Sequence, residues 1–181
     1  MRADAKVLFI GMGGLGCPAA RVLAESGVGR LVLVDDDVVS VSNLHRQILF
    51  DAEDVGKPKA HLAAEKLRLL GAQVDVHETR FVPENAQALL EGVDLIVEGA
   101  DNLATKFLAA DAAQLCRVPI VQAGAVRWGG WALASGYADD HHAPCMRCLF
   151  EDLPHAQVDN CEFAGVLGPV VGTLGALEAL L

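Results

Sequence analysis

The chain has 181 residues, of which 52% are hydrophobic and 21% are charged, and its formal net charge at pH 7 is −10. This apolar content is typical of a globular protein and excludes an intrinsically disordered one. The excess of 24 acidic over 14 basic side chains argues against a nucleic-acid-binding surface. A chain of this length predicts one domain with one substantial core.

A glycine-rich turn follows the first apolar segment. Residues 6–10 form a continuous apolar run typical of a strand that is buried on both faces. The segment GMGGLG comes next, and apolar residues then recur at helical spacing. In this context Gly11, Gly13 and Gly16 form a dinucleotide fingerprint, which lets a phosphate approach backbone N–H groups.

The second predicted strand, residues 30–34, ends at an acidic residue. Asp35 follows the glycines by about twenty residues, where a carboxylate can accept hydrogen bonds from ribose hydroxyls. These two features fit a nicotinamide-dependent dehydrogenase and an ATP-using enzyme equally well.

A polar cluster separates the two interpretations. Asn43, Arg46 and Lys59 place an amide, a guanidinium and an ammonium soon after the ribose carboxylate. A dehydrogenase has no evident use for them, whereas cations stabilise the charge that develops on phosphoryl oxygens. Either cation alone fits a solvated surface charge equally well, but the cluster favours an enzyme that acts on a triphosphate.

The rest of the chain alternates between helical and strand patterns, which predicts a parallel sheet with right-handed crossovers. Residues 124–131 predict a strand, a turn and a strand, in which Arg127 is a candidate contact for the nucleotide or a partner's tail, or a plain surface residue. The other predicted elements are helices at 58–70, 83–90 and 103–116 and strands at 73–79, 93–97 and 119–123.

The apolar tail, residues 164–181, contains Pro169 and four glycines and is short for a membrane span. We expect it to form a buried helix or a helix at a subunit interface, and we expect no membrane association.

The five cysteines predict reduced thiols or metal ligands in a cytoplasmic protein. Cys145 and Cys148 have the CxxC spacing of half a tetrahedral zinc site, and a redox pair is the alternative. The polar loop before them favours zinc. Candidates for the remaining ligands are Cys161, His141, His142 and His155, and no spacing singles out any of them. Cys17 and Cys116 fall on predicted helices and are expected in the core.

The segments GMGGLG, LVDDDVVSVSNLHRQ, DVGKPKA and GADN resemble the ThiF/MoeB/HesA family, the bacterial relatives of ubiquitin-activating enzymes. The resemblance runs from Lys6 to Leu181. It implies a Rossmann-like α/β fold with a mostly parallel sheet and helices on both faces. It also implies that residues 1–181 form a single ATP-binding adenylation domain, with a CxxC-containing loop region near 139–163.

The function that the resemblance implies is an ATP- and magnesium-dependent adenylyltransferase. Its substrate would be the C-terminal glycine of a ubiquitin-like sulfur carrier ending in Gly-Gly, from thiamine or molybdopterin biosynthesis, and the enzyme would be a homodimer. Three alternatives stay open: an NAD-dependent oxidoreductase, a relative that dehydrates tRNA threonylcarbamoyladenosine, and a non-catalytic scaffold. The scaffold is motivated by the family's N-terminal arginine, which we match to no residue here.

The resemblance also implies roles for individual residues. Asp101 would hold magnesium, while Asn102 is either a ligand contact or the N-cap of the helix that begins at Leu103. Cys161 lies where some family members carry a chemically active cysteine. The implied catalytic residues are Arg46, Lys59, Asp101 and Cys161, and the implied ATP-binding residues are Gly11, Gly13, Gly14, Asp35, Asp37, Asn43, Arg46, Gln47, Lys59, Asp101 and Asn102.

Overall fold

The structure is a computed structural model that describes residues 4–136, 144–150 and 165–181. The positions of Cys161, His141, His142 and His155 therefore lie outside the described residues. Within the described ranges, the strands are β1 (Lys6–Ile10), β2 (Arg30–Val34), β3 (Gln73–His77), β4 (Leu95–Glu98), β5 (Ile120–Val126) and β6 (Gly129–Ser135).

These strands form one sheet in the order β3-β2-β1-β4-β5-β6. All neighbouring pairs are parallel except β5 and β6, which form an antiparallel hairpin. The order reverses direction between β1 and β4, and ligands of open α/β sheets bind outside the strand ends at such a switch point. The predicted mostly parallel, Rossmann-like sheet is confirmed.

The helices cover both faces of the sheet. The buried residues of α1 and α2 pack in one apolar cluster and those of α3 and α4 in another. Two further helices, α5 and α6, follow the β5–β6 hairpin. The bounds are α1 (Gly16–Glu25), α2 (Lys59–Leu69), α3 (Pro83–Leu89), α4 (Leu103–Cys116), α5 (Met146–Leu149) and α6 (Gly168–Glu178).

The apolar run of β1 supplies both clusters, which explains its lack of alternation. Val7 and Phe9 point to the cluster of α1 and α2, whereas Leu8 and Ile10 point to the cluster of α3 and α4. A strand in the middle of a parallel sheet meets apolar side chains on both faces. No helix in the described part of the chain is both long and apolar enough to cross a bilayer.

The two cysteines that were expected in the core differ from each other in burial. Cys17 is fully buried on α1, whereas Cys116 is exposed, so the second expectation was wrong. Cys116 is the last residue of α4, and Arg117 after it adopts a left-handed conformation with φ of 56°. The helix ends here, and residues 114–117 are all exposed before the chain returns to the core at Val118, so the helical pattern overstated the burial of the last residue.

The hairpin also differs in extent from the prediction. The strands predicted at 119–123 and at the start of 124–131 form one strand, β5, and β6 continues to Ser135. The two pair throughout, from Ile120 opposite Ser135 to Val126 opposite Gly129. Arg127 lies in the connecting turn with φ of 56° and is exposed. This position sets Arg127 outside the cavity described below.

Candidate functional site

An open cavity of about 1170 Å³ lies at the carboxyl edge of the sheet. It is bordered by the glycine-rich turn, the end of β2, the start of α2 and the loop between β4 and α4. Every described residue that the sequence assigned to ATP lines this cavity: Gly11, Gly13, Gly14, Asp35, Asp37, Asn43, Arg46, Gln47, Lys59, Asp101 and Asn102.

The glycine-rich turn is packed too tightly for side chains. Gly11 has a φ of +92°, and its N–H donates to Val34 O at 2.9 Å. A Cβ atom on Gly16 would collide with the carbonyl oxygen of Gly11, and one on Gly14 would lie 2.6 Å from Cγ1 of Val171 on α6. No side chain caps α1, whose N-cap is Leu15. Cys17 N–H donates to Gly13 O at 3.0 Å and Pro18 has no N–H, so neither of these residues offers a donor to an anion.

Asp35 joins the end of β2 to the glycine-rich turn. Its Oδ2 accepts a 2.6 Å hydrogen bond from Met12 N–H, and its Oδ1 accepts a 2.8 Å bond from Asp37 N–H. Burial raises the pKa of this carboxyl, while the two N–H donors and Lys59 oppose the rise. Each oxygen keeps a second lone pair that a ribose hydroxyl can use.

Lys59 is the first residue of α2, and its side chain is 4% exposed. Its Nζ lies 2.8 Å from Oδ2 of Asp37, and its backbone N–H donates to Asp37 O at 2.9 Å. Asp37 therefore fixes both the main chain and the ammonium of Lys59 at the cavity wall.

Arg46 is held by the 3₁₀ turn at Val41–Asn43. Its Nη2 donates to Oδ1 of Asn43 at 2.7 Å, and its Nη1 lies 3.3 Å from Ser42 O. The neighbouring Gln47 is 3% exposed, and its buried Oε1 accepts no hydrogen bond from the residues that the structure describes. Because an unsatisfied buried acceptor is unfavourable, a donor on a ligand in this cavity would stabilise the site.

Asp101 and Asn102 follow β4 and have different environments. Oδ1 of Asn102 accepts a 2.9 Å hydrogen bond from Thr105 N–H, so Asn102 is the N-cap of α4. Asp101 is exposed to the cavity, and within the described ranges its carboxylate has neither a hydrogen bond nor an ion pair. One free carboxylate fits magnesium, which commonly takes one or two carboxylates together with phosphate oxygens.

The CxxC pair has the geometry of half a zinc site. The Sγ atoms of Cys145 and Cys148 lie 3.7 Å apart. Two thiolates on a tetrahedral zinc ion with bonds of about 2.3 Å stand about 3.8 Å apart. In the described parts of the chain no group of three or more His, Cys, Asp or Glu side chains meets, so zinc binding stays a prediction.

The sequence analysis missed three buried polar residues beside the cavity, one of which, Lys106, lines it. Glu98, Lys106 and Gln122 are at most 4% exposed and bond to one another. The available signal was a charged or amide residue inside an otherwise apolar segment, since such residues are rarely buried without partners.

A model of the ThiF family matches residues 3–181. Curated relatives include "Adenylyltransferase and sulfurtransferase MOCS3" of Xenopus laevis, which is 44% identical over 181 residues that make up 98% of this chain and 40% of that protein. "Adenylyltransferase and sulfurtransferase uba4" of Emericella nidulans is 44% identical over 184 residues, which make up 97% of this chain and 38% of that protein.

Solved structures show the same fold. Escherichia coli MccB in complex with MccA-N7isoASN aligns over 98% of this chain and 55% of its own, with a TM-score of 0.81 and 23% identity. E. coli tRNA N6-threonylcarbamoyladenosine dehydratase, TcdA, aligns over 68% of this chain and 52% of its own, with a TM-score of 0.66 and 31% identity.

The chain therefore belongs to the ThiF family. It spans about 40% of the length of the curated relatives it matches.

Proposed function

We propose that the chain is the adenylation part of an ATP-dependent adenylyltransferase that activates the C-terminal glycine of a ubiquitin-like sulfur carrier. The observation that carries the proposal is the meeting of Asp35, Arg46, Lys59 and Asp101 around one cavity beside the glycine-rich turn. The names of the relatives that match nearly the whole chain support the same reaction class.

In the proposed reaction the glycine carboxylate attacks the α-phosphorus of ATP. A bond forms between a carboxylate oxygen and that phosphorus, the bond to the bridging oxygen breaks, and pyrophosphate leaves with the electron pair. The products are an acyl-adenylate and pyrophosphate. No side-chain nucleophile is required, because positioning of the reactants and stabilisation of the developing charge provide the rate enhancement.

The cavity residues divide this work. Asp35 would accept hydrogen bonds from ribose, and the backbone of the turn at Gly11, Gly13 and Gly14 would approach the phosphates. Arg46 and Lys59 would neutralise the charge that develops on the leaving pyrophosphate. Asp101 would hold Mg²⁺, which would supply further neutralisation of the phosphate oxygens.

The partner follows from the chemistry of the product. An acyl-adenylate is an activated carboxyl that a sulfur nucleophile can attack, and the matched relatives are named for both adenylyl and sulfur transfer. We therefore infer a carrier that ends in Gly-Gly, of the thiamine or the molybdopterin type. Zinc on Cys145 and Cys148, a chemical role for Cys161, a homodimer and a cytoplasmic location belong to the same proposal.

ATP–pyrophosphate exchange with magnesium, measured with and without carriers ending in Gly-Gly, tests the proposal. Exchange that depends on a carrier supports the adenylyltransferase and identifies the pathway. ATP binding without exchange by the full-length protein would indicate a scaffold and contradict the proposal. Fluorescence enhancement of NADH on titration would instead favour the oxidoreductase.

A second candidate is a tRNA threonylcarbamoyladenosine dehydratase-like activity. It is favoured by the 31% identity to TcdA, although that likeness covers 68% of the chain. ATP-dependent conversion of the modified tRNA in the absence of any carrier would support this candidate. The formal charge of −10 argues against it, because a tRNA surface is normally basic.

A further inference from the structure

A buried cluster that joins three elements of the fold reaches the cavity wall through Lys106. Glu98 ends β4, Lys106 lies on α4, and Gln122 lies on β5. Glu98 and Gln122 are fully buried, and Lys106 is 4% exposed. A carboxylate and an ammonium at this depth need both a partner charge and hydrogen bonds to offset their desolvation.

The two oxygens of Glu98 have different partners. Oε2 lies 2.9 Å from Nζ of Lys106 and 3.2 Å from Nε2 of Gln122. Oε1 accepts a 2.7 Å hydrogen bond from the backbone N–H of Ala100. One carboxylate therefore joins α4 and β5 to the main chain that directly precedes Asp101.

The other ends of this cluster are also tied to the main chain. Nζ of Lys106 donates to Ala123 O as well, and Nε2 of Gln122 donates to Lys106 O at 3.0 Å. These bonds fix the ammonium against β5, so Glu98 is held in place and its Oε1 is directed at the β4–α4 loop.

The loop itself is fixed on both sides of Asp101. Upstream, Gly99 N–H donates to Ile10 O at 3.0 Å, and Ala100 N–H donates to Glu98. Downstream, Asn102 caps α4. The Asp101 carboxylate projects into the cavity from a backbone whose position depends on the Glu98 oxygen.

We propose that Glu98 is a positioning residue, which sets the Asp101 carboxylate where it can reach a metal ion on the ATP phosphates. The inference rests on the proposed function for the identity of the ligand, MgATP. In this role Glu98 does not touch the nucleotide. It acts through its hydrogen bond with Ala100 N–H, and Lys106 and Gln122 hold its carboxylate in position.

Two double variants that both lack the buried charge pair test this role. Glu98→Gln/Lys106→Met keeps an oxygen that can accept from Ala100 N–H. Its new amide N–H group can donate to Oε1 of Gln122 once the Gln122 amide, whose Nε2 faces residue 98, turns over. Glu98→Leu/Lys106→Met removes the acceptor. Charge and approximate volume match, so the two variants differ in the polar contacts of residue 98, which are those with Ala100 N–H and with Gln122.

The readout is the factor by which Mg²⁺ strengthens ATP binding, measured by titration calorimetry with and without the metal. We expect the Gln/Met double variant to keep the wild-type factor. In the Leu/Met double variant the factor should be about tenfold smaller. The affinity for ATP in the absence of metal should be similar in both variants. A role confined to stability would shift the unfolding midpoint and leave this factor unchanged. Equal factors in the two folded double variants overturn the proposal.

If the Leu/Met double variant does not fold, Glu98→Asp takes its place, because it keeps the charge for Lys106 and withdraws the carboxylate from Ala100 N–H by one methylene. An unchanged factor in that variant overturns the proposal, and a reduced one supports it. Pyrophosphate exchange by the wild type is measured separately. Its absence would contradict the proposed function, whereas the binding factor still decides the role of Glu98.

Discussion

The ammonium of Lys59 and the carboxylate of Asp37 lie 2.8 Å apart across the cavity wall, with the lysine side chain 4% exposed and the aspartate side chain 61% exposed. The cation is thus buried while its counter-charge reaches solvent. Asp37 thus holds the Lys59 ammonium at the site in the free protein. A phosphate oxygen can bind this ammonium beside the aspartate or in its place. Such preorganised charge is the main source of catalysis in phosphoryl chemistry.

Replacing Lys59 by methionine should separate catalysis from stability. The side chain keeps its length and loses its charge. Because the Asp37 carboxylate that stays behind is exposed to water, the free energy of unfolding should change by about 1 kcal/mol or less. Pyrophosphate exchange should fall about 100-fold or more. Lys57→Met is the matched control, because Lys57 is 54% exposed and pairs with Asp54 away from the cavity. Equal exchange in the two variants would contradict the role of Lys59.

Arg46→Ala and Asp101→Ala should abolish pyrophosphate exchange while the fold survives. Both side chains line the cavity without belonging to the apolar clusters, so thermal unfolding should shift little. Arg21→Ala and Asp75→Ala serve as controls, since each removes one member of an exposed ion pair on another part of the surface. Normal exchange in both cavity variants would refute their assignment.

The contact of Gly14 with Val171 predicts a packing clash that a second mutation relieves. Gly14→Ala places a methyl group 2.6 Å from Cγ1 of Val171, so we expect a loss of about 1–3 kcal/mol in the free energy of unfolding. Gly14→Ala/Val171→Ala should recover part of the loss.

Gly172→Ala is the control for this pair, because a Cβ atom at that α6 position meets no atom within 4 Å. We expect it to be neutral or to stabilise the protein by up to about 1 kcal/mol, since alanine has a higher helix propensity than glycine. Urea denaturation measures all four proteins. Val171→Ala alone is measured as well, because Val171 is buried and its truncation has its own cost. Losses that simply add in the double variant would show that the contact with α6 is not the cause.

Glu178 predicts a dependence of stability on pH. It is 1% exposed on α6, and neither of its carboxyl oxygens has a hydrogen-bond partner among the described residues. Burial raises its pKa well above the usual range; Lys106 opposes this rise and Glu98 adds to it. The unfolded chain therefore releases this proton at a lower pH than the folded protein does. The contribution of Glu178 to stability is greatest below the unfolded pKa and is lost as pH rises toward the folded pKa.

Glu178→Gln removes the ionisation and should stabilise the protein at neutral pH. Its advantage in unfolding free energy over the wild type should grow by about 1.4 kcal/mol per pH unit within that window. Glu25→Gln, at an exposed position, should show a nearly constant difference from the wild type over the same range. Urea denaturation between about pH 4 and about pH 8 measures the free energy of unfolding of both variants. A constant difference for Glu178→Gln would mean that the carboxyl ionises freely in the fold.

The zinc hypothesis is tested with cobalt, whose thiolate complexes absorb light. The 3.7 Å separation of the Cys145 and Cys148 sulfurs predicts a thiolate-to-cobalt charge-transfer band that Cys145→Ser weakens. Cys116→Ser should leave the band unchanged, because Cys116 ends α4 and is not part of the CxxC pair. A band that survives in Cys145→Ser would exclude the CxxC pair as the ligand.

Local patterns were sufficient for most of the fold. The apolar run of β1 and the helix at Leu103–Cys116 have the predicted bounds, because burial on both faces and helical periodicity are properties of neighbouring residues. The full extent of the hairpin was not predictable in this way. The predicted second strand ends at residue 131, whereas β6 continues to Ser135 opposite Ile120, and pairing of this kind depends on a partner that local propensity does not reveal.

The site could be predicted as a set of residues but not as a set of contacts. Asp37 was expected among the ATP-binding residues, and the structure adds that it holds Lys59, 22 positions further along the chain. The pairing follows from a bridge between Val38 and Pro58, which no local pattern indicates. The partners of Glu98 lie on α4 and β5, so they become apparent only when these elements are assembled.

The burial of Cys17 supplies an internal reporter of conformational opening. Its thiol lies at the start of α1 beneath the glycine-rich turn, and burial raises its pKa to about 12. An alkylating reagent reacts with the thiolate, so modification of Cys17 requires this part of the fold to open. The alkylation rate at Cys17 therefore measures how often the glycine-rich turn and the start of α1 open. A nucleotide that binds only the closed form should slow alkylation in proportion to the affinity of the nucleotide.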